Sequence, residues 1–147
     1  MADGREIIAL GNGHYAVLDV AMAWHNAGRP RINDSWRSYR DQKNAWNNSP
    51  VMGGSGSPAD NPDDPDNYAL GHMRAAALDI TPSGDRAQRL YGAGLIRPFA
   101  WESWHFAPPN IYYYPPVFVL PANVRHIDDI TGQPAVVATL RRRRIEG

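Results

Sequence analysis

Residues 49–67 limit what the rest of the chain can fold into. The segment contains four prolines, three glycines and four aspartates. Proline removes a backbone donor and glycine favours irregular backbone, so no regular helix or strand can run through these residues. A loop of this length inside a domain is usually functional or mobile. It ends a few residues before His72, and we therefore expect it to border any site built around that histidine.

The length and composition of the chain favour one domain and restrict its ligands. A chain of 147 residues can bury roughly 70% of its unfolded surface. It has no cysteine, so a metal site has to use His, Asp or Glu. Its 15 basic and 15 acidic residues balance, which argues against general nucleic-acid binding. No segment has the composition of a signal peptide or of a membrane span. We expect synthesis in a cytoplasm without an export signal, and no membrane insertion.

Apolar periodicity and turn residues predict both helices and strands. Helices are predicted over residues 15–26, 38–48 and 86–91. Short strands are predicted over residues 31–37, 75–81 and 100–107. An extended arm over residues 112–120 follows the last strand. The face of the second strand that carries Asp79 is otherwise made of alanines, which leaves room for a metal and a peptide close to the backbone.

Two short segments carry the side chains of a possible catalytic metal site. His72, Asp79 and His105 offer two imidazoles and a carboxylate that can hold zinc, and Glu102 offers a carboxylate that can act on water. A catalytic zinc site needs three protein ligands, an open position and a base that is not a ligand. Each residue alone has a simpler explanation, as a hydrogen-bonded core histidine, a turn cap or a surface ion pair. The combination is much more specific.

The spacing of these residues predicts the local shape of the chain. His72 and Asp79 are seven residues apart, and side chains at an odd separation in a strand point to opposite faces. His72 is therefore expected in the turn before the strand, leaning back towards Asp79. Glu102 and His105 are three residues apart in a stretch with extended character. The same reasoning predicts a bend or bulge near Glu102.

These motifs resemble those of the VanY-like zinc D,D-peptidases, whose signature is Ser-x-His-x-x-Gly-x-Ala-x-Asp followed by Glu-x-Trp-His. His72, Ala77 and Asp79 match the first motif. Residues 102–105 match the second motif in full. Leu70 stands where the family has serine, and Ala75 stands where it has glycine.

An upstream segment extends this resemblance to residues 30–107. Residues 35–38, Ser-Trp-Arg-Ser, together with Gln42 resemble the family pattern Ser-x-Tyr/Trp-Arg-Ser followed by Gln. The resemblance implies a small single α+β domain with a central antiparallel sheet flanked by helices. We place this peptidase domain over residues 1–120 and regard residues 121–147 as a C-terminal extension or tail, with Arg141–Arg144 near its end.

The resemblance also implies roles for individual residues. His72, Asp79 and His105 would bind one zinc ion, and Glu102 would be the general base and then the general acid. Arg37 would stabilise the oxyanion beside the scissile carbonyl.

Less specific roles follow for the neighbouring residues. A surface ion pair with Asp34 or Asp41 is the alternative for Arg37. Ser38 and Gln42 would support the site or contact the substrate. Trp104 is expected to pack beneath the site, where it would hold Glu102 and His105.

The function implied is hydrolysis of a stem-peptide bond of bacterial peptidoglycan, either L-Ala–D-Glu or a bond that contains D-Ala. The short chain without an export signal suits a phage endolysin or a virion-associated lysin, made in the host cytoplasm and acting on the cell wall as a monomer. One alternative is a cytoplasmic D-Ala-D-Ala dipeptidase or carboxypeptidase. Another is a non-catalytic wall-binding module of the virion.

Overall fold

The computed structural model describes residues 3–64 and 68–132 of the chain. These residues form an α+β structure. Its strands are β1 (Ile7–Gly11), β2 (His14–Val17), β3 (Leu78–Asp79), β4 (His105–Phe106) and β5 (Arg125–His126). Its α-helices are α1 (Leu18–Asn26), α2 (Tyr39–Asn47), α3 (Arg86–Gly92) and α4 (Ile127–Thr131). Short 3-10 helices cover Pro50–Met52, Tyr68–His72 and Ile111–Tyr113.

The larger of two sheets has the order β2–β1–β5. β1 and β2 form an antiparallel hairpin whose turn, residues 11–13, has positive φ throughout, a conformation that glycine and asparagine adopt most readily. β5 pairs with β1 in the parallel direction. The expectation of a central antiparallel sheet is therefore wrong, since this sheet is mixed and the second sheet, β3–β4, has two strands.

The predicted helix over residues 15–26 is shorter than expected. Its first three residues belong to β2, and α1 begins at Leu18. Spacings of three and four residues continue backwards from α1 through Val17, which explains the error, but Val17 pairs with Ile7 across the hairpin. Its backbone N–H also donates to the carbonyl oxygen of Ala75. Partners distant in sequence thus override the helical pattern at this end.

The helices α2 and α3 lie close to their predicted positions. α2 covers Tyr39–Asn47, and the side chain of Ser38 caps it by accepting a hydrogen bond from the N–H of Asp41 at 3.1 Å. α3 covers Arg86–Gly92, one residue longer than predicted. Both boundaries depend on neighbouring residues, namely a serine N-cap and a glycine-containing turn, so the local sequence is sufficient to predict them.

The three predicted strands around the candidate site are much shorter than expected. Only Leu78–Asp79 and His105–Phe106 pair as strands. Residues 31–37 contribute a single bridge, between Asp34 and Asp79. Ala75 has a φ of 55°, a left-handed conformation that cannot continue a strand. Turns occupy residues 100, 101, 103 and 104, so β4 begins only at His105.

The hydrophobic core joins the two sheets. Ile8, Val20, Leu78, Phe106 and Ile127 are all fully buried. β5 and α4 therefore belong to the same packed structure. The rest of the predicted tail, including Arg141–Arg144, lies outside the described residues. None of the helices in the described part is long and apolar enough to cross a membrane.

Candidate metal centre

Three side chains from different parts of the chain converge on one point. Nε2 of His72 lies 3.1 Å from Oδ1 of Asp79, and Nδ1 of His105 lies 3.3 Å from the same oxygen. One donor atom from each residue lies within 4.8 Å of the other two. The two histidines are buried, with 5% and 2% of their surface exposed. A buried group of two nitrogens and one oxygen at this spacing could hold a metal ion.

The local backbone explains how each donor reaches this point. His72 ends the 3-10 helix Tyr68–His72 before β3, as its spacing from Asp79 predicts. Asp79 and His105 are direct partners across the β3–β4 pair, and side chains of such a pair lie on the same face of the sheet. The alanines at residues 75–77, just before β3, are fully buried.

A hydrogen bond to the main chain orients the imidazole of His72 towards Asp79. Its Nδ1 lies 2.6 Å from the carbonyl oxygen of Ser35, and a carbonyl oxygen can only accept, so Nδ1 carries the proton. When the ring is neutral, it therefore presents an unprotonated Nε2 to Oδ1 of Asp79, 3.1 Å away. A hydrogen bond of this kind from the other ring nitrogen is typical of histidines that ligate metals.

The electrostatic state of the group also fits a cation. Burial raises the pKa of Asp79, but the adjacent imidazoles of His105 and His72 outweigh burial and place that pKa well below its usual value of 3.8. Asp79 is therefore a carboxylate at neutral pH. Neither nitrogen of the buried His105 ring has hydrogen-bond geometry with a described residue, although Nδ1 lies 3.3 Å from Oδ1 of Asp79. Buried polar atoms normally have partners, and a metal ion between these acceptors would supply one.

Glu102 stands at the edge of this group. Its Oε1 lies 3.6 Å from Nδ1 of His105, and one third of its side chain is exposed. The chain turns sharply here, because the N–H of Glu102 donates to Phe99 and the N–H of His105 donates to Glu102. The predicted bend near Glu102 is confirmed. The turn places a carboxylate beside the three donors without adding it to them.

Arg37 lies on the wall of the same site and is held on two sides. Its Nε and Nη2 donate to Oδ2 of Asp34 at 2.9 and 2.6 Å. Its Nη1 donates to Oε1 of Gln42 at 3.0 Å. The alternative of an ion pair is therefore correct for Asp34, and Asp41 instead contributes its backbone N–H to the cap of α2. Arg37 can therefore pair with Asp34 and still lie beside the three donor side chains.

A cleft of about 170 Å³ opens over the donors. It is lined by Arg37, Gln42, Pro58, Ala59, Asp60, His72, Asp79, Glu102, Trp104 and His105. The loop predicted to border the site does so through residues 58–60. Gln42, which is 2% exposed, connects the two walls because its Nε2 donates to the carbonyl oxygen of Asp60 while its Oε1 accepts from Arg37.

Two residues differ from their expected positions. Trp104 does not pack beneath the site, since 44% of its surface is exposed and it lines the cleft. The turn that directs His105 inwards sends the preceding side chain outwards. Ser38 caps α2 and lines a separate apolar cavity with Tyr39 and Phe118, so it does not contribute to this cleft.

Sequence reasoning assigned no role in the site to two residues that support it. Asp34 appeared only as an alternative partner of Arg37, yet its carbonyl oxygen also accepts from the N–H of Asp79 at 2.8 Å. Ser35 supplies the carbonyl oxygen that orients His72, and its Oγ lies 2.9 Å from Nδ1 of His14. The spacing of three residues between Asp34 and Arg37 was the available signal for the first. A main-chain acceptor such as that of Ser35 leaves no signal in the sequence.

Comparison with models of protein families gave no match for this chain, and neither curated proteins nor solved structures gave a significant match.

Proposed function

We propose that this chain is a zinc-dependent peptidase that hydrolyses a stem-peptide bond of bacterial peptidoglycan. The bond would be L-Ala–D-Glu or one that contains D-Ala. In this proposal the protein is a phage endolysin or virion-associated lysin, synthesised in the host cytoplasm, that acts on the cell wall as a monomer.

The observation that carries the proposal is the grouping of His72, Asp79 and His105 with Glu102 and Arg37 around one cleft. The donor set of two nitrogens and one oxygen suits zinc, whose catalytic sites use three protein ligands and leave a position open. A binding module has no need for a carboxylate beside the donors. The motif resemblance supports the same reading.

Each of these residues would have a separate role in the hydrolysis. A zinc ion held by the three donors would supply Lewis acidity, which lowers the pKa of water and polarises a carbonyl group. Glu102 would remove a proton from the attacking water as the water oxygen bonds to the carbonyl carbon. It would return that proton to the amine nitrogen as the carbon–nitrogen bond breaks. Arg37 would donate a hydrogen bond to the carbonyl oxygen as negative charge develops there.

Digestion of purified peptidoglycan sacculi with the zinc-loaded protein tests the proposal. Mass spectrometry of the released muropeptides should show new amino termini within the stem peptide. Hydrolysis of free D-Ala-D-Ala by a protein that leaves the sacculi uncut would favour the cytoplasmic dipeptidase instead. Binding to sacculi without any cleavage, despite stoichiometric zinc, would favour the non-catalytic module.

Substitution of the base provides the specific control. Glu102→Gln should lower the rate of cleavage by at least about 100-fold, since general acid–base catalysis contributes about 100- to 10,000-fold, and should leave zinc content unchanged. Glu6→Gln makes the same change in a residue that pairs with Arg125 on the larger sheet, and it should retain full activity. A Glu102→Gln variant as active as wild type would reject this mechanism.

A further inference from the structure

A row of aromatic rings leads from the metal group to the surface. The ring centroid of Phe99 lies 5.2 Å from that of His105. The indole of Trp101 stacks on Phe99, with the centroids 5.4 Å apart and an angle of 26° between the ring planes. Trp104, three residues later on the same turn, lines the cleft. The row therefore connects a buried donor residue to an exposed indole beside the cleft.

Trp101 is the exposed end of this row. Its surface is 74% exposed although one face of the indole lies against Phe99, so the opposite face is turned to solvent. Single exposed aromatic residues are common, but Trp101 is part of a stack that continues to His105. An exposed apolar surface beside a cleft is typical of a ligand or partner site. We call the stacked pair of Phe99 and Trp101 the aromatic platform.

Hydrogen bonds fix the turn that carries the exposed indole. The N–H of Glu102 donates to the carbonyl oxygen of Phe99 at 3.1 Å, and the N–H of His105 donates to that of Glu102 at 3.1 Å. Nη1 of Arg97 donates to the carbonyl oxygen of Ser103 at 3.3 Å. An indole on such a turn loses little conformational freedom on binding, which raises the affinity that one contact can supply.

The size and the chemistry of this surface suit a sugar ring. Trp101 and Trp104 can bury at most about 250 Å² each, whereas a stable protein interface takes about 800 Å² from each partner. A β-linked N-acetylated hexosamine in the chair form has C–H bonds on its faces and its polar groups around the rim. Those C–H bonds carry partial positive charge, which matches the negative face of an aromatic ring. Such a sugar can stack on an indole and keep its polar groups in water.

The distance from the aromatic platform to the metal group fits the covalent structure of peptidoglycan. Because Phe99 contacts both rings, the centroid of Trp101 lies at most about 11 Å from that of His105, the sum of the two distances. An extended chain covers about 3.3–3.6 Å per residue, so up to about three residues span this distance. In peptidoglycan the stem peptide is attached to a sugar of the glycan strand. A stem peptide held at the metal group would therefore bring its sugar to the indole.

On the basis of the proposed peptidase function, we infer that Trp101, stacked on Phe99, binds the glycan strand of the substrate. The ligand class is a β-linked N-acetylated hexosamine. One face of the sugar stacks on the indole while the attached peptide enters the cleft past Trp104. The site therefore selects stem peptides that are still linked to sugar over peptides that have been released from the wall.

A matched pair of substrates tests this selection, namely a stem peptide linked to its disaccharide and the same peptide without sugar. The zinc-loaded wild type should cleave the sugar-linked peptide with a kcat/KM at least about tenfold higher, and Trp101→Ala should reduce this ratio to about one. Phe118→Ala removes a half-exposed aromatic side chain from the separate apolar cavity and should keep the wild-type ratio. A ratio in Trp101→Ala equal to that of wild type would overturn the inference.

A binding measurement keeps the inference separable from the proposed function. The trimer of β-1,4-linked N-acetylglucosamine is titrated into the zinc-loaded protein, and the assigned indole N–H signals are followed by NMR. The signal of Trp101 should shift. The affinity should fall at least about tenfold in Trp101→Ala and less in Trp101→Phe, which keeps a ring. Absence of any peptide cleavage would reject the proposed function, and this titration would still decide whether the indole binds sugar.

Other results of the titration would overturn the inference. A Trp101 signal that stays unmoved at saturating trimer does so with the wild type alone, whatever the folding of the variants. Shifts confined to residues 112–114 would place the sugar on the tyrosine segment instead. Self-association of wild type that is lost in Trp101→Ala, without any response to the sugar, would assign the indole to a second copy of this chain.

Discussion

Nε2 of His72 and Oδ1 of Asp79 face each other at 3.1 Å, and both are acceptors when the ring is neutral. The proton of His72 resides on Nδ1, which donates to the carbonyl oxygen of Ser35. Two buried acceptors at this distance require a positive charge between or beside them, either a proton or a metal ion. The first prediction follows from this relationship.

The chelator-treated protein should bind one zinc ion, and His105→Gln should weaken the binding by at least about 100-fold. Removal of one of three ligands leaves a two-ligand site, and competition with a chromophoric chelator measures the loss. Affinity should fall as pH drops, because protons compete with the metal for the imidazole nitrogens. His25→Gln, on α1, is the control and should bind zinc as wild type does. Equal affinity of His105→Gln and wild type would show that the three donors are not the site.

Gly71→Ala should lower the free energy of unfolding by about 1–3 kcal/mol, the usual cost of overpacking a core. A methyl group there would lie 3.0 Å from Cβ of Ala77 and 3.8 Å from Nε2 of His105, so it should also weaken zinc binding. Urea denaturation of the metal-free protein measures the first effect. Gly92→Ala has no atom within 4 Å of the added methyl group and should be neutral or slightly stabilising. An equal stability of the two variants would contradict the tight packing behind His105.

Gln42→Ala should release the loop that borders the cleft. The buried amide joins Arg37 to the backbone of Asp60, and loss of buried hydrogen-bond partners costs about 1–3 kcal/mol. Amide hydrogen exchange should become faster at Ala59 and Asp60, with little change in the β1–β2 hairpin. Gln88→Ala, at an exposed position of α3, should leave exchange in the loop unchanged. Unaltered exchange in Gln42→Ala would mean that contacts other than those of Gln42 hold the loop at the edge of the cleft.

Tyr114 should make stability depend on pH in the alkaline range. Burial and then the hydrogen bond from its hydroxyl to Asp19 raise the pKa of Tyr114 well above its usual value of 10.0. The folded protein therefore holds this proton more tightly than the unfolded chain. Its contribution to stability is complete below about pH 10 and is lost as pH rises towards the folded-state pKa.

Tyr114→Phe should cost about 1.5–3 kcal/mol at pH 7, the range for a hydrogen bond to a charged group. Between pH 9 and 11 the variant should lose less stability than wild type, as followed by thermal unfolding at each pH. Tyr113→Phe removes a hydroxyl from a ring that is 49% exposed and should reproduce the wild-type profile. If Tyr114→Phe and wild type lost the same amount of stability between pH 9 and 11, the alkaline pH dependence would not come from Tyr114.

Features governed by short stretches of chain were accessible from the sequence. The capped start of α2 at Ser38 follows from a side chain that bonds a backbone N–H three residues later. The positions of His72 in a turn and of Glu102 at a bend follow from the strand period. The position of the loop over residues 49–67 at the edge of the cleft follows from its proline content and its nearness to His72 in the sequence. Each of these depends on steric and hydrogen-bond preferences within a few residues.

Features that depend on distant partners were not accessible. The β1–β2 hairpin was missed because the residues before α1 also fit a helical pattern. β5 joins β1 in parallel, at a separation of more than 100 residues, and no local pattern encodes that pairing. The outward position of Trp104 and the capture of Arg37 by Asp34 depend likewise on how the turn and the cleft walls pack.

The sequence by itself therefore determined which donors exist, namely two imidazoles and a carboxylate with a second carboxylate nearby and no thiol. Only the tertiary structure decided that they meet. The register of β3 against β4 sets Asp79 directly opposite His105, and the carbonyl oxygen of Ser35 turns His72 towards both. Such long-range pairings lose chain entropy that local preferences cannot offset, and burial of the surrounding apolar core supplies the free energy that holds them.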